Sequence, residues 1–270
     1  MKTARTLSLI CFVLFVTACA TQPQLKMPPK QVFITTPAEE VQLGEYAFDE
    51  IRRKRRICQD AQVCTYIDRV ARRAVGANSF GGMDCEIAVF DDDAMDAFAL
   101  PGGKIGVHTG ILPLAGNESG LAAVLDEVIS HVTERQGGQR YAELSPSLLG
   151  GLSLTTVLFR AWKDPESIRT AMAIYGLGNE VGIPLPYGPV HLEESDRLSL
   201  TWMARAGYDP REDLAFWKRL TDYPKTHNGQ IPAFLKLHPC DESRLHKMED
   251  FLPTVLPLYR HVVEVSTPSS

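Results

Sequence analysis

The chain has 270 residues and a mass of 29.9 kDa, with 44% hydrophobic, 8% aromatic and 23% charged residues. That is ample apolar material for a buried core, and it excludes a disordered or collagen-like chain. A formal net charge of -5 and a pI near 5.8 provide no basic field for a phosphate backbone, so nucleic acid is not an expected partner.

The first element is a leader. Lys2 and Arg5 precede a largely apolar run from Leu7 to Val16 that is too short for a comfortable bilayer span, the pattern of a signal peptide. Val16-Thr17-Ala18-Cys19 resembles the bacterial lipobox, in which small residues precede a cysteine that becomes the acylated N-terminus. Residues 1–18 are therefore expected to be a lipoprotein signal peptide and Cys19 the lipidation site; an ordinary cleaved signal with an incidental cysteine is the alternative. Ala20, in place of Asp after the cysteine, resembles lipoproteins sent to the outer membrane, which implies a domain facing the periplasm and held to the membrane by its lipid. Residues 19–36, with Pro23, Pro28 and Pro29 and no hydrophobic period, read as a flexible tether ahead of a domain over 37–265.

Cys11 leaves with the leader and Cys19 carries lipid, so Cys58, Cys64, Cys85 and Cys240 remain. An even number in an oxidising compartment suggests two disulfides, with Cys58 to Cys64 the preferred local pair and free buried thiols the alternative. No CxxC spacing points to a zinc finger or a thioredoxin site.

Within the domain, Val41, Leu43, Phe48 and Ile51 lie close to helical spacing behind acidic Glu39 and Glu40, and a second helix is expected from about Val63 to Val75. The run Arg52 to Arg56 between them reads as a solvated helix end, or else as a contact for acidic lipid or a partner. Cys85 to Phe90 alternates like a strand, and Lys104 to Thr109 reads as a second strand entered through Pro101-Gly102-Gly103. Leu121 to Thr133 is a strongly apolar helix with Asn117 as its N-cap. Ser145 to Trp162 is apolar but interrupted by Gly150-Gly151, and reads as a buried or interfacial helix. Further helices are expected over His191–Ala206, Pro210–Leu220 and Asp241–Phe251.

Asp96 to Gly103 (DAFALPGG), Thr109-Gly110-Ile111-Leu112 and Leu121-Ala122-Ala123-Val124-Leu125 follow one another at family spacing. Leu185-Pro186-Tyr187, Asp196-Arg197-Leu198, Ala206 to Pro210 (AGYDP), Leu237-His238-Pro239 and Ser243-Arg244-Leu245 continue the series. Together they resemble the gluzincin zinc metallopeptidases, a family that includes CAAX prenyl protease type one, HtpX and the periplasmic beta-barrel assembly-enhancing protease. The resemblance covers nearly the whole chain beyond the tether. It implies an α+β, mainly helical fold with a small sheet beside the metal-site helix.

Such enzymes hold zinc with two histidines one helical turn apart and a glutamate from a later helix, while a glutamate after the first histidine is the general base. Aligned on that pattern, Glu127 stands at the first histidine, Val128 at the base, His131 at the second histidine and Leu192 at the third ligand. Valine accepts no proton, and losing a positioned base typically costs about 100- to 10,000-fold in rate. The catalytic set is thus expected to be empty, and no cofactor is expected.

A displaced site is the competing reading: Glu127, His131, Asp196 and His238 as residual ligands, with zinc as the cofactor if they function. In the simpler arrangement Asp196 supports the site from outside and His238 is a capped loop residue. His191, Glu193 and Glu194 point off the ligand face, and His108, His227, His246 and His261 read as exposed or packed. No GxSxG elbow, P-loop or dinucleotide fingerprint is present. The expectation is a peptidase-like binding protein that takes extended or unfolded polypeptide, or an envelope protein, by strand addition along Lys104 to Thr109. The alternative is an active zinc endopeptidase of envelope protein quality control.

Overall fold

The computed structural model describes residues 34–78, 84–160 and 164–266. The expected signal peptide, Cys19 and nearly all of the tether lie outside these residues. Among the described residues no helix is long and apolar enough to cross a membrane.

Helix α1 (Pro37–Lys54) starts with a reciprocal cap in which Thr36 accepts from the Glu39 amide and the Glu39 carboxylate accepts from the Thr36 amide. Its buried stripe is Leu43, Ala47, Phe48 and Ile51. Asp60 caps α2 (Ala61–Ala77), accepting from the Gln62 and Val63 amides at 2.8 and 3.2 Å. The basic run between the helices is spent on ion pairs: Arg53 and Lys54 meet Glu50, Arg56 meets Asp91 at 3.1 Å, and Arg55 lies 3.2 Å from Glu180.

Three strands follow, β1 (Glu86–Phe90), β2 (Ala97–Leu100) and β3 (Lys104–His108), in the order β1-β3-β2. β3 runs parallel to β1 and antiparallel to β2. The strand expected as an edge, Lys104 to Thr109, is therefore the centre of the sheet. Its second neighbour escapes the sequence pattern because β2, buried at all four positions, shows no alternation by which it could be read as a strand. The outer edge of β1 is closed by a bridge from Ile57, so β2 is the edge strand beside the helices.

A 3-10 turn (Thr109–Ile111) and the short α3 (Leu112–Ala115) lead into α4 (Glu118–Thr133), capped by Asn117 through the Gly120 amide at 2.9 Å. Every residue of α4 from Gly120 to His131 is buried. It packs on β2, α2 and two later helices, so any polar group it carries inward must be paired or cost free energy. The apolar stretch after Ser145 is not one helix. Gly150 and Gly151, at φ of 60° and 75°, turn the chain between α5 (Gln136–Leu148) and α6 (Leu154–Arg160), a left-handed conformation that a side chain resists.

Next come α7 (Pro165–Met172), a π-helical turn (Ala173–Leu177), α8 (Gly178–Val181), α9 (Pro189–Ala206), α10 (Arg211–Thr226), α11 (Ala233–Leu237) and α12 (Glu242–Ser266). One apolar cluster surrounds α4 with α2, α9 and α10; a second joins α1 to α5, α6 and α7. Cys58 and Cys64 are thiols here, as are Cys85 and Cys240. Cys58 and Cys64, the preferred pair, are neighbours in space, with Cys64 Sγ donating to Cys58 O at 3.5 Å and Cys58 Sγ to Asp60 O at 3.8 Å.

His108, read as an ordinary packed histidine, is fully buried between two carboxylates, with Nδ1 2.9 Å from Asp92 and Nε2 3.1 Å from Glu180. Burial alone would lower its pKa, but Glu180 and Asp92 outweigh burial and hold it above the ordinary 6.5. A raised folded value means that the stabilisation is complete below the unfolded pKa and is lost as pH rises through the folded one. Urea denaturation between about pH 6 and 9 is expected to show wild type losing stability with rising pH, and His108→Gln losing measurably less.

Candidate metal centre and its lock

Helix periodicity places Glu127 and His131 of α4 one turn apart on one face, with His131 Nε2 3.8 Å from Glu127 Oε1. His238, at the end of α11, comes to the same place from the other side, its ring 5.1 Å from that of His131. Glu127, His131 and His238 each offer one ligand atom, and these atoms lie within 4.8 Å of one another. All three groups are buried.

Surrounding bonds decide the protonation of the histidines. The Gln136 amide nitrogen donates to Glu194 at 2.8 Å and to His191 O at 3.3 Å, so the Gln136 oxygen faces His131 Nδ1 at 2.6 Å. An amide oxygen only accepts, so Nδ1 carries the proton and Nε2 presents its lone pair. His238 is held likewise, with Nδ1 3.0 Å from Phe234 O. Burial, with His238 next in weight, keeps His131 well below the usual imidazole range, and burial brings His238 to about 3. Both rings are neutral, as metal ligands must be.

His131 Nε2, His238 Nε2 and Glu127 Oε2 have no hydrogen-bond partner among the described residues. Three orphaned buried donor atoms, two imidazole and one carboxylate, fit a divalent metal such as zinc. These residues would hold it, and the ion would supply Lewis acidity to a bound oxygen. Val128 fills the base position, and Leu192, buried at the third-ligand position, cannot coordinate.

Asp196, the fourth expected ligand, does not join the group. Arg244 of α12 takes both its oxygens, Nε to Oδ2 at 2.9 Å and Nη2 to Oδ1 at 2.7 Å, and the same Nη2 donates to Glu127 Oε1 at 2.8 Å. The remaining Nη1 donates to Pro239 O at 3.1 Å, and the guanidinium lies 3.8 Å from the centre of the Trp217 ring. Burial raises Glu127 to about 8 against the pull of Arg244, and raises Asp196 as well. Arg244 thus occupies Oε1 of Glu127, the oxygen that also lies 3.8 Å from His131 Nε2, while Oε2 has no hydrogen-bond partner among the described residues.

Tyr187 closes the site from above. Its ring stacks on His131 at 3.6 Å and 4°, the Arg140 guanidinium lies 4.3 Å from the centre of the same ring, and its amide donates to Leu237 O at 2.9 Å. Gly176, at φ 90°, makes room for it: a Cβ there would lie 2.4 Å from the Tyr187 hydroxyl. The space left among β2, Val128, His131, Gly176, Tyr187 and His238 is about 10 Å³, room for about one water. A larger cavity of about 250 Å³ lies on the far side of Tyr187, beside Leu192, Asp196 and Arg244.

His191, Glu193 and Glu194 are engaged elsewhere, with Gln139, Lys247 and Gln136. Sequence reading missed the roles of Arg244, Gln136 and Tyr187. Arg244 and Tyr187 stood inside recognised segments, whereas Gln136 carried no signal. Arg244→Met alone should cost about 3–5 kcal/mol by stranding two buried carboxyls, and adding Glu127→Leu and Asp196→Leu should recover most of it. Urea denaturation of the single and triple variants checks this.

Residues 59–251 match peptidase family M48. The chain is 30% identical over 188 residues to mitochondrial metalloendopeptidase OMA1 of Schizosaccharomyces pombe, covering 70% of this chain and 52% of that protein. It is 28% identical over 214 residues to the beta-barrel assembly-enhancing protease of Escherichia coli, covering 77% of this chain and 42% of that one. The chain spans about half the length of the curated relatives it matches. With the helical fold, the small sheet and the ordered segments from Asp96 to Arg244 all in place, the chain belongs to peptidase family M48.

Proposed function

We propose that this chain is a lipid-anchored M48-family protein that has given up peptide hydrolysis and acts by binding extended polypeptide or an envelope protein at the outer membrane, facing the periplasm. Val128 carries the reading: a buried valine at the general-base position leaves no group to take a proton from an attacking water. Leu192 in place of a ligand and Tyr187 stacked over His131 support it. The membrane part rests on the leader and Cys19. Strand addition would use β2, the edge strand, once the segment carrying Gly176 and Tyr187 moves aside.

A second reading is favoured by the three orphaned donor atoms: a zinc endopeptidase of envelope protein quality control with Glu127, His131 and His238 as ligands. Metal content and turnover separate the two. The full chain, assayed with added zinc, is expected to cleave no unfolded protein in a chelator-sensitive way, whether or not it retains zinc. Zinc-dependent cleavage abolished by His131→Ala would overturn the binding reading. Tyr187→Gly is expected to raise affinity for extended peptides severalfold by uncovering β2, measured by fluorescence anisotropy; unchanged affinity removes β2 as the docking edge.

A further inference from the structure

From Leu144 to Phe159 no residue is charged, in a chain of which 23% is. This stretch forms the end of α5, the Gly150-Gly151 turn and α6. One side of the hairpin faces the core, with Leu149, Leu154 and Val157 buried beside Leu43 and Phe48. The other side faces outward with Pro146, Ser147, Leu148 and Phe159. At 87% exposure Phe159 is the most exposed large apolar side chain among the described residues, and Leu148 is 46% exposed. Two exposed large apolar side chains on one uncharged hairpin, Leu148 at the end of α5 and Phe159 in α6, give it an apolar outer side.

The chain enters the fold at the same place. The described residues begin at Ile34, itself 51% exposed, and the side chain of Thr155 in α6 donates to Glu39 in the first turn of α1. From Cys19 to Ile34 an extended chain reaches about 50 Å at most. A lipid on Cys19 would keep this face near the bilayer at high effective concentration, so a weak apolar contact is enough to engage it.

We propose that the hairpin from Leu144 to Phe159 is a membrane-docking surface that places Leu148 and Phe159 among the lipid head groups. It rests on the reading of Cys19 as the lipid anchor. Charges resume at Glu143 and Arg160, which limits insertion to the loop and α6. A tethered domain with a second, shallow contact would be held in one orientation to the membrane instead of swinging on its tether.

The test places a photoactivatable benzophenone amino acid at Phe159 or, as a control, at exposed Ile231. The full chain is reconstituted in vesicles of phosphatidylethanolamine and phosphatidylglycerol and irradiated. Mass spectrometry reads lipid adducts and acylation of Cys19 in the same sample. Lipid adducts at 159 several times above those at 231, reduced about tenfold by Leu148→Glu, support the proposal. Adducts at 159 that are only to a second copy of the chain, or no adducts, overturn it. Adducts at 159 without acylation of Cys19 support the surface and sink the anchor reading alone; acylated Cys19 without adducts does the reverse.

Discussion

Arg244 is a guanidinium with almost no access to water, and water is what normally solvates such a charge. Its place in the interior depends on Asp196 from α9, Glu127 from α4, the carbonyl of Pro239 and the face of Trp217 being where they are. Taking an ion of this size out of water costs several kcal/mol even after relaxation, and a partial set of partners does not offset that. The three helices α4, α9 and α12 are therefore held in one relative arrangement, the one that satisfies every arm of the fork. The loop from His238 to Asp241 follows, because it lies between α11 and the Arg244 that binds its carbonyl.

That constraint bears on the site beside it. One oxygen of Glu127, the one 3.8 Å from His131 Nε2, is committed to Arg244, and the other is left without a hydrogen-bond partner among the described residues. Gln136, itself oriented by Glu194 and His191, fixes the tautomer of His131. Glu127, His131 and His238 thus stay clustered, with Val128 and Leu192 at the positions where the family pattern places a base and a ligand. Both replacements lie on buried faces, where an apolar side chain costs less than an unpaired carboxyl.

Tyr187 and Gly176 give the closed state its shape. The tyrosine stacks on His131 only because residue 176 has no Cβ and adopts a left-handed backbone that breaks the helix at the π turn. The same segment covers β2, so one local device both screens the histidines and hides the edge strand. Burial of the site and burial of that edge are a single structural event.

The sequence determined by itself what depends on local spacing: the cap at Asn117, the helical faces of α1, α4 and α9, the pairing of Glu127 with His131 one turn apart, and the family segments from Asp96 to Arg244. It misplaced β3 as an edge, because β2 is buried on both faces and shows no period of two. It joined α5 to α6, because apolar content outweighed two glycines. Tertiary structure alone decided that His238 meets His131 while Asp196 turns to Arg244, and that His108 lies between Asp92 and Glu180. Those partners are far apart along the chain, and which carboxylate reaches which cation is settled by desolvation and packing in three dimensions, which no spacing along one strand or helix encodes.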